Sequence, residues 1–263
     1  MPTINLAVAA SLVNGLPQAI AAFQTTPAGS GATFTIMYGG SDALAGLIVN
    51  PNNDYFDVFL SAGQPAVTTV QNAGMVETSV SPNPQNFIAN TLVIVKNSLA
   101  SSITINTFAD VNAGNFPLIT PATAHIWIAN PSLAPAGQYA QMAFSDPTIN
   151  TWSSVVYPKV IADGTMGSDV QVTLNSCLDD TLPAIAVVYL SDAVGKGLTA
   201  SAVAPKNVNT QIVYPGAVLT NAANHGVVSA AQAFVTFLAA DNGTNYFTTT
   251  KGFRPVGSTA PGV

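Results

Sequence analysis

Charged side chains are scarce: Asp, Glu, Lys and Arg make up 7% of the 263 residues, against about a quarter in an ordinary soluble chain. Low charge marks disorder only when hydrophobicity is also low, and hydrophobic residues here reach 48%. The chain therefore folds, and its polar surface is built from Ser, Thr, Asn and Gln. Little charge also leaves little repulsion between molecules, so self-association is an expectation. The 6 Lys and Arg residues face 12 Asp and Glu, for a net charge of -6. Those cations (Lys96, Lys159, Lys196, Lys206, Lys251 and Arg254) form no cluster. Nucleic-acid binding requires a basic footprint, so that class is excluded.

One cysteine, Cys177, excludes an internal disulfide and a cysteine-built zinc cage. It reads as a small buried apolar residue. No apolar run approaches the roughly 18 residues of a membrane span; residues 182–190 come nearest. Met1, Pro2 and Thr3 lead into the first apolar run with no basic and apolar leader, so the chain is either cytosolic or has had a signal removed. The G-x-S-x-G, Walker, H-E-x-x-H and C-x-x-C signatures are absent, which argues against an enzyme. A serine nucleophile at Ser11 or Ser41 would lack a base placed by sequence. His125 lies in an apolar strand and His225 just before a helix, so core and capping roles are expected of them. Asp179 and Asp180 read as a solvated helix end, because adjacent carboxylates on a helix diverge.

What is present is an alternation of strands and helices. Residues 4–10 form an apolar run of strand length, and Leu12, Leu16, Ile20 and Phe23 then follow at helical spacing, which makes Ser11 a helix N-cap at the change of period. Helix N-termini carry unpaired amides and the positive end of the dipole, and so suit an anion. A second strand over 32–37 hands over at Ser41 to a helix over 43–48. A third, over 57–62, leads into a helix from Gln64. One long strand is expected over 87–95, crossing between lobes. Then come a strand over 124–129, a helix over 136–144, a short strand over 159–162 and a helix over 169–178. A buried strand over 184–190, a return crossing over 211–215 and helices over 227–240 and 242–251 complete the chain. This order gives an α/β fold with parallel sheets and right-handed crossovers.

Six segments occur in an order that resembles the molybdate-binding proteins of ABC importers. They are Ala9-Ala10-Ser11-Leu12, Gly40-Ser41-Asp42-Ala43-Leu44-Ala45, Asp57-Val58-Phe59-Leu60-Ser61-Ala62, Pro135-Ala136-Gly137-Gln138-Tyr139-Ala140, Asp169-Val170, and Val188-Tyr189-Leu190-Ser191-Asp192-Ala193. The resemblance spans nearly the whole chain. It implies a two-lobed periplasmic binding protein of type II, each lobe a mixed, mostly parallel sheet flanked by helices. Lobe I would be residues 1–90 with 206–263, lobe II residues 91–205, and the ligand cleft would lie between them.

By the same resemblance the chain is a non-catalytic extracytoplasmic binder of molybdate or tungstate, with a membrane ABC permease as partner. It would need no cofactor and no metal ion. Its location would be periplasmic or extracellular, the signal peptide having been removed. The oxyanion ligands carried over are the hydroxyls of Ser11 and Ser41, the backbone N–H groups of Ala136 and Val170, and the phenol of Tyr189. Donors without formal charge hold a dianion by several charge-assisted hydrogen bonds and still let it go. The sequence departs from the family pattern where Pro17 interrupts the first helix and Asp42 stands beside Ser41. It departs again where Asn130 replaces an acidic residue, and where Gln171 follows Val170 in place of a frequent arginine. The rival reading is the same fold used as a self-assembling extracellular structural subunit, suggested by the scarcity of charge.

Overall fold

Two five-stranded mixed sheets organise the chain in the computed structural model, which describes residues 2–119, 121–248 and 251–262 and, within 241–244, the backbone. The ten strands are β1 (Thr3–Ala9), β2 (Thr33–Gly39), β3 (Val58–Leu60), β4 (Gln85–Ala89), β5 (Leu92–Lys96), β6 (His125–Ala129), β7 (Met166–Gly167), β8 (Ala184–Tyr189), β9 (Ala202–Val203) and β10 (Val213–Val218). One sheet has the order β2-β1-β3-β10-β4 and the other β7-β6-β8-β5-β9. Each has three neighbouring parallel strands followed by an antiparallel fourth. The fourth is the strand by which the chain enters (β5) or re-enters (β10) that sheet. The two-lobed periplasmic-binding-protein fold expected from sequence is therefore the observed one.

The first compact unit is Met1–Ala89 with Val213–Ser258, and the second is Asn90–Ile212 with Thr259–Val263. The chain thus returns to the first unit at Val213, several residues after the expected 206, and Thr259–Val263, expected in the first lobe, group with the second unit. The short helix at Lys206–Asn209 stays with the second unit because Asn209 is fully buried there. Its Oδ1 accepts Leu92 N–H at 2.8 Å, and its Nδ2 donates to the carbonyls of Ala204 and Pro261.

In the first unit, α1 (Leu16–Gln24), α2 (Ser41–Ile48) and α3 (Gln64–Asn72) follow the parallel strands in turn. Leu16, Ala19, Ile20 and Phe23 are the buried face of α1, and Phe23 meets Phe34 and Phe234 edge-on. Pro17 starts this helix and does not interrupt it; it occupies the first turn, where its missing N–H has no intrahelical acceptor to lose. In the second unit come α4 (Pro135–Phe144), α5 (Tyr157–Asp163) and α6 (Val170–Leu178), and after β8 the short α7 (Leu190–Gly195). The chain ends with helices at Val228–Ala239 and Asp241–Thr248. The expected end of the last helix, at Lys251, runs across positions 249–250, outside the described residues.

Two further expectations are corrected. Residues 87–95 are two strands in different sheets, broken at Asn90 and Thr91, where the Asn90 side chain donates to Ser191 Oγ at 2.8 Å and accepts Thr91 N–H at 2.9 Å. Residues 159–162 are helical. Val160 and Ile161 favour strands, but Pro158 in the first turn and Gly164 in the left-handed C-cap position, at φ 68°, bracket a helix. The buried Lys159 completes it with Asp163, one turn on at 2.9 Å.

Candidate functional site

Ser11 and Ser41 leave neighbouring strands at one level. The β1–β2 register pairs Ala9 with Gly39, so each serine stands two residues beyond an aligned pair, on strands about 4.8 Å apart. Both are buried, at 1% exposure. Ser11 is not the N-cap expected of it: it lies inside a 3-10 turn, Ala10–Asn14, between β1 and α1. Ser41 is the first residue of α2, capped by Gly40. Ser41 Oγ accepts Ala62 N–H at 3.0 Å, so its own proton is turned toward another acceptor. Ser11 Oγ lies 2.8 Å from Tyr214 OH. When the phenol supplies that proton, the serine proton can serve an anion. Tyr214 is 203 residues away in sequence; the antiparallel return of β10 against β3 brings it in, and no local pattern marks it. Asp42, half-buried in the first turn of α2, suits the positive end of that helix.

In the second unit the strand order β7-β6-β8 sets three parallel strands side by side. Val170 follows β7, Ala136 follows β6 and Tyr189 ends β8, all at the carboxyl edge where sheets of this kind hold ligands. Ala136 is the second residue of α4, behind Pro135, among the amides that have no acceptor within the helix. Val170 is the first residue of α6. Its cap, Asp169, accepts from Gln171 N–H at 2.8 Å and Val172 N–H at 3.0 Å, and the amide of Val170 is not one of that pair. Tyr189 is 1% exposed. The structure thus gathers Ser11 with Ser41 in one unit, and Ala136, Val170 and Tyr189 in the other.

Beside this second group lies a feature no spacing revealed. Asp192, in α7, is fully buried, and its Oδ1 accepts from Gln171 Nε2 at 2.6 Å. Burial pushes its carboxyl up to about 8, against the pull of hydrogen bonds from Tyr189 N–H and Gln171, with the Asp169 charge pushing the same way as burial.

Several other ionisable groups have structural partners. His125 Nδ1 lies 2.7 Å from Asp180 Oδ2, which also accepts from Trp127 Nε1 at 2.6 Å. Asp180 is therefore not the solvated helix end expected. It lies just past α6, where the chain turns its carboxylate back onto β6. Burial raises this carboxyl, but the bonds from Trp127, Leu182 and His125 together hold it below the usual range. Lys96 Nζ donates to the Ile103 carbonyl at 3.1 Å and Arg254 to the Ser258 carbonyl at 3.2 Å. Cys177 is buried, and desolvation lifts its thiol to about 12. Among the described residues no group of three or more His, Cys, Asp or Glu could hold a metal ion, and no helix is long and apolar enough to cross a membrane.

Solved structures share the fold. A substrate-binding domain assigned to a molybdenum ABC transporter of Clostridium difficile aligns at TM-score 0.65 and 21% identity, over 97% of this chain and 100% of that one. The periplasmic molybdate-binding protein of Azotobacter vinelandii aligns at 0.67 and 17%, over 95% and 98%. The sulfate-binding protein SubI of Mycobacterium tuberculosis H37Rv aligns at 0.73 and 16%, over 98% and 88%. No curated protein matches the sequence. The family model for bacterial extracellular solute-binding proteins matches residues 4–254, and with nearly the whole chain covered, this protein belongs to that family.

Proposed function

We propose that this chain captures a tetrahedral oxyanion, molybdate or tungstate, and hands it to a membrane ABC permease outside the cytoplasm. The donors are Ser11, Ser41, Ala136, Val170 and Tyr189. The observation that carries the reading is the placement of all five at the carboxyl edges of parallel strands, as hydroxyls and helix-start amides with no formal charge. Such a set binds a dianion by hydrogen bonds alone. No bond is made or broken, so the protein is a binder and not an enzyme, and the reading needs no cofactor.

The preference for the larger ions rests on the motif resemblance, since the fold is shared with a sulfate-binding protein. Donors spaced for a large ion cannot all reach a smaller one, and each bond left unmade in a dry site costs about 1 to 3 kcal/mol. Calorimetric titration with molybdate, tungstate, sulfate and phosphate is the test. Molybdate or tungstate should bind far more tightly than sulfate, and Ser11→Ala and Tyr189→Phe should each weaken binding by about 1 to 3 kcal/mol. Equal affinity for sulfate, or unchanged affinity in both variants, would overturn it.

The charged fraction of 7% favours a second reading, the same fold as a self-assembling extracellular subunit. A concentration-dependent native mass together with silence in every titration would select it.

A further inference from the structure

Asp192 differs from Asp169, Asp180 and Asp146 of the second unit. In each of those three both carboxylate oxygens accept a hydrogen bond. Asp192 is 0% exposed; its Oδ1 meets a neutral amide, and its Oδ2 is buried with no hydrogen-bond partner. An ionised carboxylate with an oxygen so placed lacks the partners that offset its desolvation. A carboxylic acid needs fewer acceptor bonds and presents an O–H donor instead.

The contacts of this group run to both sides of the candidate donor set. Gln171, which holds Oδ1, is the residue after Val170; the backbone N–H of Tyr189 also bonds the carboxyl. One buried group therefore joins the start of α6 to the end of β8.

We infer that Asp192 is held as a neutral acid, that it is the positioning residue for the Val170 and Tyr189 donors, and that its ionisation weakens the hold on the anion. The inference rests on the oxyanion reading above. The mechanism is electrostatic. In a site whose donors carry no charge, a new carboxylate beside them opposes a dianion at short range and low dielectric, where screening is weak.

The neighbouring groups support this assignment. α7 packs against α6, β8 and β5. From α6 it faces the Asp169 carboxylate, a like charge, at the N-terminal end; Cys177 and Asp179 lie at the other end, about 10 Å or more along the axis. From β8 the titratable residue is Tyr189, whose backbone N–H bonds the carboxyl. On β5 the cation is Lys96, paired in register with Ile185 at the strand end remote from Tyr189, with its Nζ on the Ile103 carbonyl. Lys196 follows α7 and is exposed. Among the described residues no facing cation therefore offsets the charge. Burial accordingly sets the carboxyl near 8, inside the range in which a secreted protein works.

The test uses the whole protein and its Asp192→Asn variant, with molybdate and sulfate as probes, titrated from pH 6.5 to pH 9.5. Wild-type affinity should fall roughly tenfold across that range, the factor that corresponds to one pKa unit of coupling, while the asparagine variant stays flat. A second readout needs no anion. A carboxyl raised by folding, from about 4 in the unfolded chain to about 8, contributes stability that is fully present below the lower value and is lost as pH rises through the upper one. Wild-type urea midpoints should therefore decline between pH 5 and 9 relative to the variant. The wild-type binding profile and its Asp192 carboxyl resonance serve equally if the variant does not fold.

Parallel pH profiles of anion affinity in the two proteins, or a carboxyl resonance titrating near 4, would overturn the inference while leaving the oxyanion reading intact. Silence toward both anions at every pH would instead overturn the oxyanion reading, and the gating with it, although the stability curves would still report the neutral acid.

Discussion

Replacing Gly137 with alanine should cost about 3 kcal/mol or more of folding stability and should weaken oxyanion binding at the same time. A Cβ at this position would lie 2.2 Å from the Ala129 carbonyl oxygen and 2.7 Å from Pro131 N. Both are backbone atoms, so no side chain can rotate aside. α4 has to retreat from the end of β6, and Ala136, the preceding residue, moves with it. The glycine is there so that the helix start can sit against the strand that feeds it, which is what gives the Ala136 amide its position at the sheet edge. Gly46, by contrast, would place a Cβ with nothing within 4 Å. Gly46→Ala should be neutral or slightly stabilising, because it removes unfolded-state freedom in the middle of α2. Urea midpoints and molybdate titrations of the two variants check the contrast; equal midpoints would show that α4 is free to shift.

The layout of the fold was legible because its signals are local. Apolar runs of strand length, each ended by Ser, Gly or Pro and followed by helical spacing, identify β1, β2, β3, β6 and β8 with the helices behind them. Where the structure differs from the sequence reading, either one local signal outweighs another or a tertiary contact overrides a local preference. Val160 and Ile161 read as strand, yet Pro158 and Gly164 were visible brackets of a helix. Both halves of the run over 87–95 are buried, so periodicity does not separate them, and the polar pair Asn90-Thr91 between them is the one local mark of the passage from one sheet to the other. Ser11 reads as a cap from its place at a change of period, but its hydroxyl meets Tyr214, a partner supplied by β10. The Gln171–Asp192 contact was hidden in the same way: both residues stood inside or beside recognised motifs, and only the packing of α6 on α7 joins them.

Asp57→Ala should be the second strongly destabilised variant, by about 3 kcal/mol, with anion affinity at 25 °C unchanged in the molecules that remain folded. Asp57 is fully buried just ahead of β3, and its backbone and side chain act together. Its N–H donates to the Asn5 carbonyl at 2.8 Å and its Oδ2 accepts Asn5 N–H at 2.7 Å, so the side chain adds one rung to the β1–β3 ladder. Its carbonyl accepts Leu219 N–H at 2.8 Å, and Oδ1 lies 2.7 Å from His225 Nδ1. Alanine keeps the two main-chain bonds and removes both carboxylate bonds. The His225 side chain, 33% exposed, can turn to water, so most of the cost falls on the Asn5 amide, which would be left between two strands without an acceptor. Asparagine retains one acceptor oxygen, and Asp57→Asn should therefore lose about half as much. Urea unfolding of the three proteins measures this order; a loss below about 1 kcal/mol in the alanine variant would mean that the β1–β3 pairing closes without its side-chain rung.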